Sequence, residues 1–222
     1  MDIAAKLKKI KEEIGVATLV AVSKTKPIED IQAAYDAGQR IFGENKAREL
    51  EEKAGKLPED IQWHMIGHLQ SNKVKYIAPF VSLIHSVDKM KLLKEINKRA
   101  KQNDRIIDVL LQIHIAKEEN KFGMDEDEVR ELLQSEAYKQ LENIRVIGLM
   151  GMATFTENKD RIKSEFTYLK ELFQQIKTDY FSDQATFEVL SMGMSGDYQI
   201  ALNCGSNMLR IGSAIFGERE YH

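Results

Sequence analysis

The stretch TLVAVSKTKPIEDIQAAYDAGQRIFGEN, residues 18–45, changes its hydrophobic period twice. From Leu19 to Ser23 every side chain is small or apolar with no polar alternation, the pattern of a strand covered on both faces. PIEDIQAAYDAG then puts Ile28, Ile31 and Tyr35 on one stripe of helical period. Pro27 falls where a first helical turn tolerates it, and Gly38 falls where helices stop. RIFGEN at 40–45 returns to an apolar run. Two such strands with a helix between them cannot be hairpin partners, so the stretch reads as one βαβ unit of a parallel sheet.

The same alternation continues along the chain. Further apolar runs stand at QWHMIG (62–67), LIHSVD (83–88), DVLLQIHIA (108–116), VIGLMGMA (146–153), FEVLSMG (187–193) and MLRIGSAIFG (208–217), which makes eight candidate strands. The segments between them are charged and of helical period. In KDRIKSEFTYLKELFQQIK, for example, Ile162, Phe166, Leu169 and Phe173 share a stripe. Eight βα units predict a single (β/α)8 TIM barrel of the α/β class, and 222 residues is slightly below the roughly 250 typical of that fold. An open doubly wound sheet is the rival, but no glycine fingerprint follows the first strand as a dinucleotide fold would require. Ahead of the first strand, MDIAAKLKKIKEEIG places Ile3, Leu7, Ile10 and Ile14 at helical spacing, predicting an additional N-terminal helix packed on the body. No low-complexity segment, Pro or Gly cluster or compositional break divides residues 1–222, which read as one domain with nothing after the barrel.

Charge and composition exclude several classes of function. With 32 basic and 35 acidic residues the formal charge is -3, so no net positive field draws in nucleic acid or an anionic membrane. No run of about 18 apolar residues is present to span a bilayer, and the N-terminus lacks the apolar core of a secretory signal. A single cysteine, Cys204, cannot form an internal disulfide, which fits a reducing, cytoplasmic compartment. No long exposed apolar stripe suggests an interface, so a monomer is expected.

Barrels carry their chemistry at the C-terminal strand ends. Those ends here are Lys24, Asn45, Gly67 with His68, Ser86, Met150 with Met152, Ser191 with Gly193, and Arg210 with Gly212. Lys24 closes a wall of small apolar residues, where desolvation lowers an amine's pKa as a Schiff-base lysine needs. On its own it reads equally well as a surface lysine like Lys26. Two adjacent late loops suit a phosphate. In SMGMSGD, Gly193 and Gly196 allow close backbone approach, while Ser195 offers a hydroxyl and an N-cap for the following helix. In RIGSAIFG, Gly212 and Ser213 present N–H groups and a hydroxyl at a helix N-terminus. Either loop alone is explained by turn chemistry, and two in succession favour a cradle. Arg210, two residues before Gly212 on the same strand, points to the same face. Its acceptor is either a carboxylate from another strand, with Glu44 the obvious candidate, or a pyridine nitrogen that would stay unprotonated.

Other signals are weaker. His64 and His68 have the spacing of a metal pair, but His64 lies in a strand and Gly67 intervenes, so a zinc site is not expected. His85 and His114 stand in apolar runs and read as hydrogen-bonded core histidines. Cys204, after the apolar IALN, reads as a buried small residue. The methionines at 150, 152, 192 and 194 suit either core packing or the floor under a flat ligand.

The strings VAVSKTKP, FGEN, WHMIGHLQSNK, GLMGMA, SMGMSGDY and RIGSAIFGER, in order from residue 20 to residue 219, resemble the pyridoxal phosphate homeostasis proteins. These are also called YggS or PROSC proteins, and they are related to the N-terminal barrel of alanine racemase. The resemblance implies that pyridoxal 5'-phosphate is carried on Lys24, that Ser195, Gly212 and Ser213 hold its phosphate, and that Arg210 faces its pyridine nitrogen. Asn45 is implied as a neighbour of the cofactor. The loop EENKFGM, around Gly123, follows the fifth candidate strand.

Two classes of function are compatible with that resemblance. A carrier or buffer would hold the cofactor reversibly and serve intracellular vitamin B6 and amino-acid homeostasis, with pyridoxal phosphate-dependent apo-enzymes as partners. An amino-acid racemase with weak activity is the alternative. Two-base racemisation needs an acid or base on each face of the substrate, and in alanine racemase one comes from a second domain and partner subunit that this chain is not expected to have. Water on that face, and a pyridine left unprotonated by Arg210, both disfavour turnover. A barrel aldolase acting on a phosphorylated sugar would share Lys24 and the phosphate loops but have no use for Arg210. The sequence therefore favours the carrier over a dedicated enzyme.

Overall fold

The structure is a computed structural model that describes residues 2–116 and 122–218. Among these residues eight parallel strands close into a barrel in chain order: β1 (Thr18–Val22), β2 (Ile41–Glu44), β3 (Gln62–Met65), β4 (Leu83–Val87), β5 (Ile107–Ile113), β6 (Ile144–Gly151), β7 (Val189–Met194) and β8 (Met208–Ile211). The last strand pairs with the first, Val20 opposite Arg210 and Ala21 opposite Ile211. The expected (β/α)8 TIM barrel is the fold observed.

Helix α1 (Ile3–Ile14) precedes β1, and α2 (Ile28–Asp36), α3 (Ala47–Ala54), α4 (Val74–Ile77) and α5 (Met90–Gln102) follow the first four strands. Behind β5 lie α6 (Glu126–Gln134) and the short α7 (Glu136–Lys139), and behind β6 the long α8 (Lys159–Tyr180). Only short helices, α9 (Tyr198–Asn203) and α10 (Ser213–Phe216), follow β7 and β8. A helix of 12 residues such as α1 is marginal alone in water. Its buried Ile3, Leu7, Ile10 and Ile14, each contributing roughly 1.5–3 kcal/mol on full burial, hold it to the barrel. Asp2 caps it, accepting from the Ala5 amide at 2.9 Å. Pro27 precedes α2 as its N-cap, one position earlier than the sequence suggests, with φ -67° and an extended ψ of 163°.

Side-chain parity separates two apolar layers. Val20, Val22, Leu83, Leu110, Met150 and Met208 from the strands, with Ile66 just past β3, form one cluster, the filling of the barrel. Leu19, Ala21, Phe42, Trp63, Met65 and Ile84 point outward into a larger cluster shared with the helices. Gly43 faces inward, where a β-carbon would stand 2.9 Å from Val20 Cγ1. Its neighbours Phe42 and Glu44 therefore face outward. That alternation decides which charged groups can meet at the mouth.

Candidate functional site

One cavity of about 540 Å³ opens at the C-terminal end of the strands. Lys24, Asn45, Ser195, Arg210, Gly212 and Ser213 all line it, although they come from four different strand ends.

Lys24 follows β1 in a tight turn closed by the Lys26 amide donating to the Ser23 carbonyl at 3.0 Å. Thr25, the second central residue, has φ +64°, the left-handed value that a type II turn demands and a β-branched residue resists. Lys26 does not belong to the open surface. Its ammonium donates to the carbonyls of Phe216 and Glu218 at 2.9 and 3.0 Å and tethers this turn to the segment behind β8.

The late loops meet as a cradle. Ser195 Oγ accepts from the amides of Gly212 and Ala214, at 3.1 and 3.4 Å. A hydroxyl oxygen thus occupies the place where two N–H groups at the start of α10 would receive an anion's oxygen. Ser195 does not cap α9: its N-cap is Asp197, whose Oδ1 accepts from the Met194 amide at 2.6 Å. Gly193 is required by packing rather than by ligand approach, since at φ +99° its missing β-carbon leaves room for Ala201 of α9. A β-carbon on Gly196 meets nothing within 4 Å. Gly67 lets two loops touch, because a β-carbon there would lie 2.5 Å from the Asn45 carbonyl oxygen.

Arg210 is buried, yet it lines the cavity. Its Nη1 donates to Ser191 Oγ at 2.6 Å and its Nη2 to the Gly151 carbonyl at 3.0 Å. Glu44 is not its partner. Arg210 lies inside the barrel and Glu44 outside, where Glu44 accepts from Ser23 and Lys53. Burial lowers the guanidinium to about 10, so it remains a cation and donor at neutral pH. Behind Ser191 the chain of contacts continues. His85 Nδ1 lies 3.1 Å from Ser191 Oγ, and His85 Nε2 lies 3.0 Å from His64 Nδ1. Burial holds His64 down to about 3 and, with His64 and Arg210 nearby, holds His85 well below its ordinary value, so both are neutral. Four side chains thus form a polar column through the barrel.

His85 is the bonded core histidine expected, whereas His114 falls just past β5 and is half-buried. His68 stands apart from His64, at the rim, with its ring stacked on Phe122 at 3.9 Å. Met152 and Met194 line the cavity, while Met150 and Met192 are buried in the core. Ser86 is buried and does not line the cavity. Cys204 is half-buried at the C-cap of α9, not fully enclosed. Of the loop EENKFGM, residues 118–121 lie outside the described residues. Gly123, at φ +130°, lies close to the end of β5. Met124 bridges to Ile113.

The alanine racemase N-terminal domain family model matches residues 2–220. A pyridoxal phosphate homeostasis protein of Aquifex aeolicus is 39% identical over 206 residues, covering 92% of this chain and 88% of that protein. The protein of the same name from Escherichia coli K12 is 35% identical and covers 99% and 98%. The chain belongs to the pyridoxal phosphate homeostasis protein family. Within that family, the solved PipY of Synechococcus elongatus PCC7942 is 32% identical, covers 97% of this chain and 100% of its own, and superposes with a TM-score of 0.90 without pyridoxal phosphate and 0.88 with it bound. Alanine racemase of Clostridium difficile 630 shares the fold at 14% identity and a TM-score of 0.76, this chain covering 60% of its length.

Several wall residues of this family member carry no sequence signal of their own. Gln112 lines the cavity from inside β5 and donates to the Phe122 carbonyl at 3.0 Å. Thr154 is fixed by Glu165 of α8, which accepts from its amide and its hydroxyl at 2.7 Å each. Phe155, almost wholly exposed at the mouth, is the one that could have been noticed, as an aromatic in an otherwise polar loop.

Proposed function

We propose that this chain binds pyridoxal 5'-phosphate covalently, as a Schiff base on Lys24, and serves intracellular vitamin B6 and amino-acid homeostasis rather than acting as a dedicated enzyme. The observation that carries this reading is the convergence of three different chemistries on one cavity: an amine at Lys24, an anion cradle at Ser195, Gly212 and Ala214, and a cationic donor at Arg210. Those are the groups that an aldehyde, a phosphate and a pyridine nitrogen each need. When bound, the cofactor supplies an electrophilic carbon for amines.

The residues present fit the group. Ser195 Oγ already accepts from the amides a phosphate oxygen would use, and Ser213 stands exposed beside them on the cavity wall. Arg210 is fixed by Ser191 and Gly151, so it donates without giving up its proton, and a ring nitrogen facing it stays unprotonated. That withholds the positive ring nitrogen on which cofactor-assisted carbanion chemistry draws. Asn45 is the remaining neighbour, on the β2 side. Relatives similar over most of their length carry the name of homeostasis proteins, and PipY has been solved with pyridoxal phosphate bound.

The test is optical. Purified protein incubated with pyridoxal 5'-phosphate is expected to turn yellow, with an absorbance that borohydride removes and Lys24→Ala abolishes. Protein that stays colourless would overturn the reading. Incubating the loaded protein with L- and D-alanine and following chirality separates carrier from racemase, and transfer to an apo-enzyme tests the carrier role directly.

A further inference from the structure

We infer that Lys53 and Glu49, on the helix behind β2, are positioning residues for Lys24, holding the turn that presents its amine to the cavity. This rests on the reading of Lys24 as the cofactor lysine.

Lys53 lies in a helix of mostly charged residues, yet its side chain is only 8% exposed. A buried ammonium needs an acceptor for each of its donors. Lys53 has three: the Ser23 carbonyl at 2.7 Å, Glu44 Oε1 at 2.8 Å and Glu49 Oε1 at 2.8 Å. Glu44 Oε1 also accepts from the Ser23 hydroxyl at 2.6 Å, and Glu49 Oε1 from the Thr25 amide at 2.6 Å.

Every one of these bonds ends on Ser23, on Thr25 or within the ion cluster itself. The residue before Lys24 is held by its hydroxyl and carbonyl, and the residue after it by its amide. The Ser23 carbonyl that Lys53 grips is the one that closes the turn, receiving the Lys26 amide. Thr25 sits at φ +64°, a conformation that costs on the order of 1–3 kcal/mol and persists only when the surroundings enforce it. Glu49 is the group that does so. Helix packing alone would bury apolar side chains here. An ammonium between two carboxylates is a costly choice whose return is directional hold on the backbone.

Schiff-base formation joins the Lys24 amine to the aldehyde carbon and releases one water, with no change of oxidation state. Its equilibrium depends on how closely the amine is pre-aimed. The phosphate cradle lies behind β7 and β8 and Arg210 within β8. Among the described residues Lys53, Glu49 and Glu44 make no hydrogen bond to either, and the turn reaches that side through Lys26, whose ammonium holds the Phe216 and Glu218 carbonyls beyond the cradle amides. Loosening the turn should therefore weaken the covalent half of binding and spare the rest.

The experiment compares pyridoxal 5'-phosphate with pyridoxine 5'-phosphate, which keeps ring and phosphate but has an alcohol in place of the aldehyde. Both are titrated against wild type, Lys53→Met and Glu49→Ala, with thermal melts to confirm folding. Glu49 is partly exposed, so Glu49→Ala carries the test alone if Lys53→Met does not fold. The expected result is about a tenfold rise in Kd for pyridoxal 5'-phosphate and a slower onset of colour, with Kd for pyridoxine 5'-phosphate changed less than about twofold. Equal weakening of both ligands would make the cluster a general brace of the barrel mouth, and no change in either would remove it from the site. Either outcome overturns the inference. A wild type that forms no borohydride-reducible colour would instead refute the Lys24 reading on which it rests.

Discussion

Ser195, behind β7, and Gly212, behind β8, are joined by a hydrogen bond from the Gly212 amide to the Ser195 hydroxyl oxygen at 3.1 Å. This bond turns two glycine-containing loops into one anion cradle. Its removal is the most direct probe of the proposed phosphate contact.

Ser195→Ala deletes the hydroxyl but leaves the backbone amides. Hydrogen bonds to a charged acceptor contribute about 1.5–3 kcal/mol, so affinity for pyridoxal 5'-phosphate is expected to fall about 10- to 100-fold. Affinity for pyridoxal, which lacks the phosphate, should hardly change. Absorbance titrations with the two aldehydes check this, and a parallel loss for both would place Ser195 outside the phosphate contact.

Arg210→Met keeps roughly the volume of the side chain and removes both donors. Ser191 Oγ and the Gly151 carbonyl then each lose the donor that Arg210 supplied in a buried setting, Ser191 keeping only its contact with His85. The expected cost is about 1–3 kcal/mol in urea unfolding, with an unchanged circular dichroism spectrum. A variant as stable as wild type would mean that the column does not depend on its cation.

Gly67→Ala tests the contact between the β2 and β3 loops. The new β-carbon would lie 2.5 Å from the Asn45 carbonyl oxygen and 2.7 Å from its Cα, backbone atoms that yield only by moving the loop. Destabilisation of about 1–3 kcal/mol is expected, with weaker cofactor binding as Asn45 is displaced. A crystal structure of the variant with Asn45 unmoved would contradict this.

Stability should fall on mild acidification. Burial lowers His64 to about 3 in the fold from 6.5, and His85 is likewise held well below its ordinary value. Below 6.5 the unfolded chain therefore takes up two protons that the native barrel refuses. Glu44 works the other way: burial raises it to about 7 from 4.5, so the native state gains a proton first and this carboxylate favours the fold as pH drops through that window. Two protons against one leaves a net loss on the order of 1.4 kcal/mol per pH unit between about 6.5 and 4.5. Urea unfolding at pH 7, 6 and 5 measures the slope. His85→Asn should flatten it, and an undiminished slope in that variant would assign the protons elsewhere.

The barrel, Lys24, Arg210 and the two late loops were legible in the sequence because each is local. Strand ends follow apolar runs, and barrels gather them at one mouth. The partner of Arg210 was not. Gly43 has no side chain, so the inward register of β2 leaves no mark in the sequence, and Glu44 reads as a candidate when it faces the helices instead. Lys53 was hidden for a different reason: ARELEEKA has the composition of a solvated helix, and only the docking of α3 buries that one ammonium. The histidine column was half visible. An apolar context gave His85 its core position, but its partners lie 21 and 106 residues away in the chain.

The polar column also divides along the chain in a telling way. His64 and His85 belong to β3 and β4, while Ser191 and Arg210 belong to β7 and β8. Severed between β4 and β5, the chain would leave two buried imidazoles on one fragment and a buried guanidinium on the other, each facing a half that could no longer answer it. Lys24 would go with the first fragment and the anion cradle with the second. The two half-barrels are thus stitched across the interior as well as around the rim, and neither holds the whole site by itself.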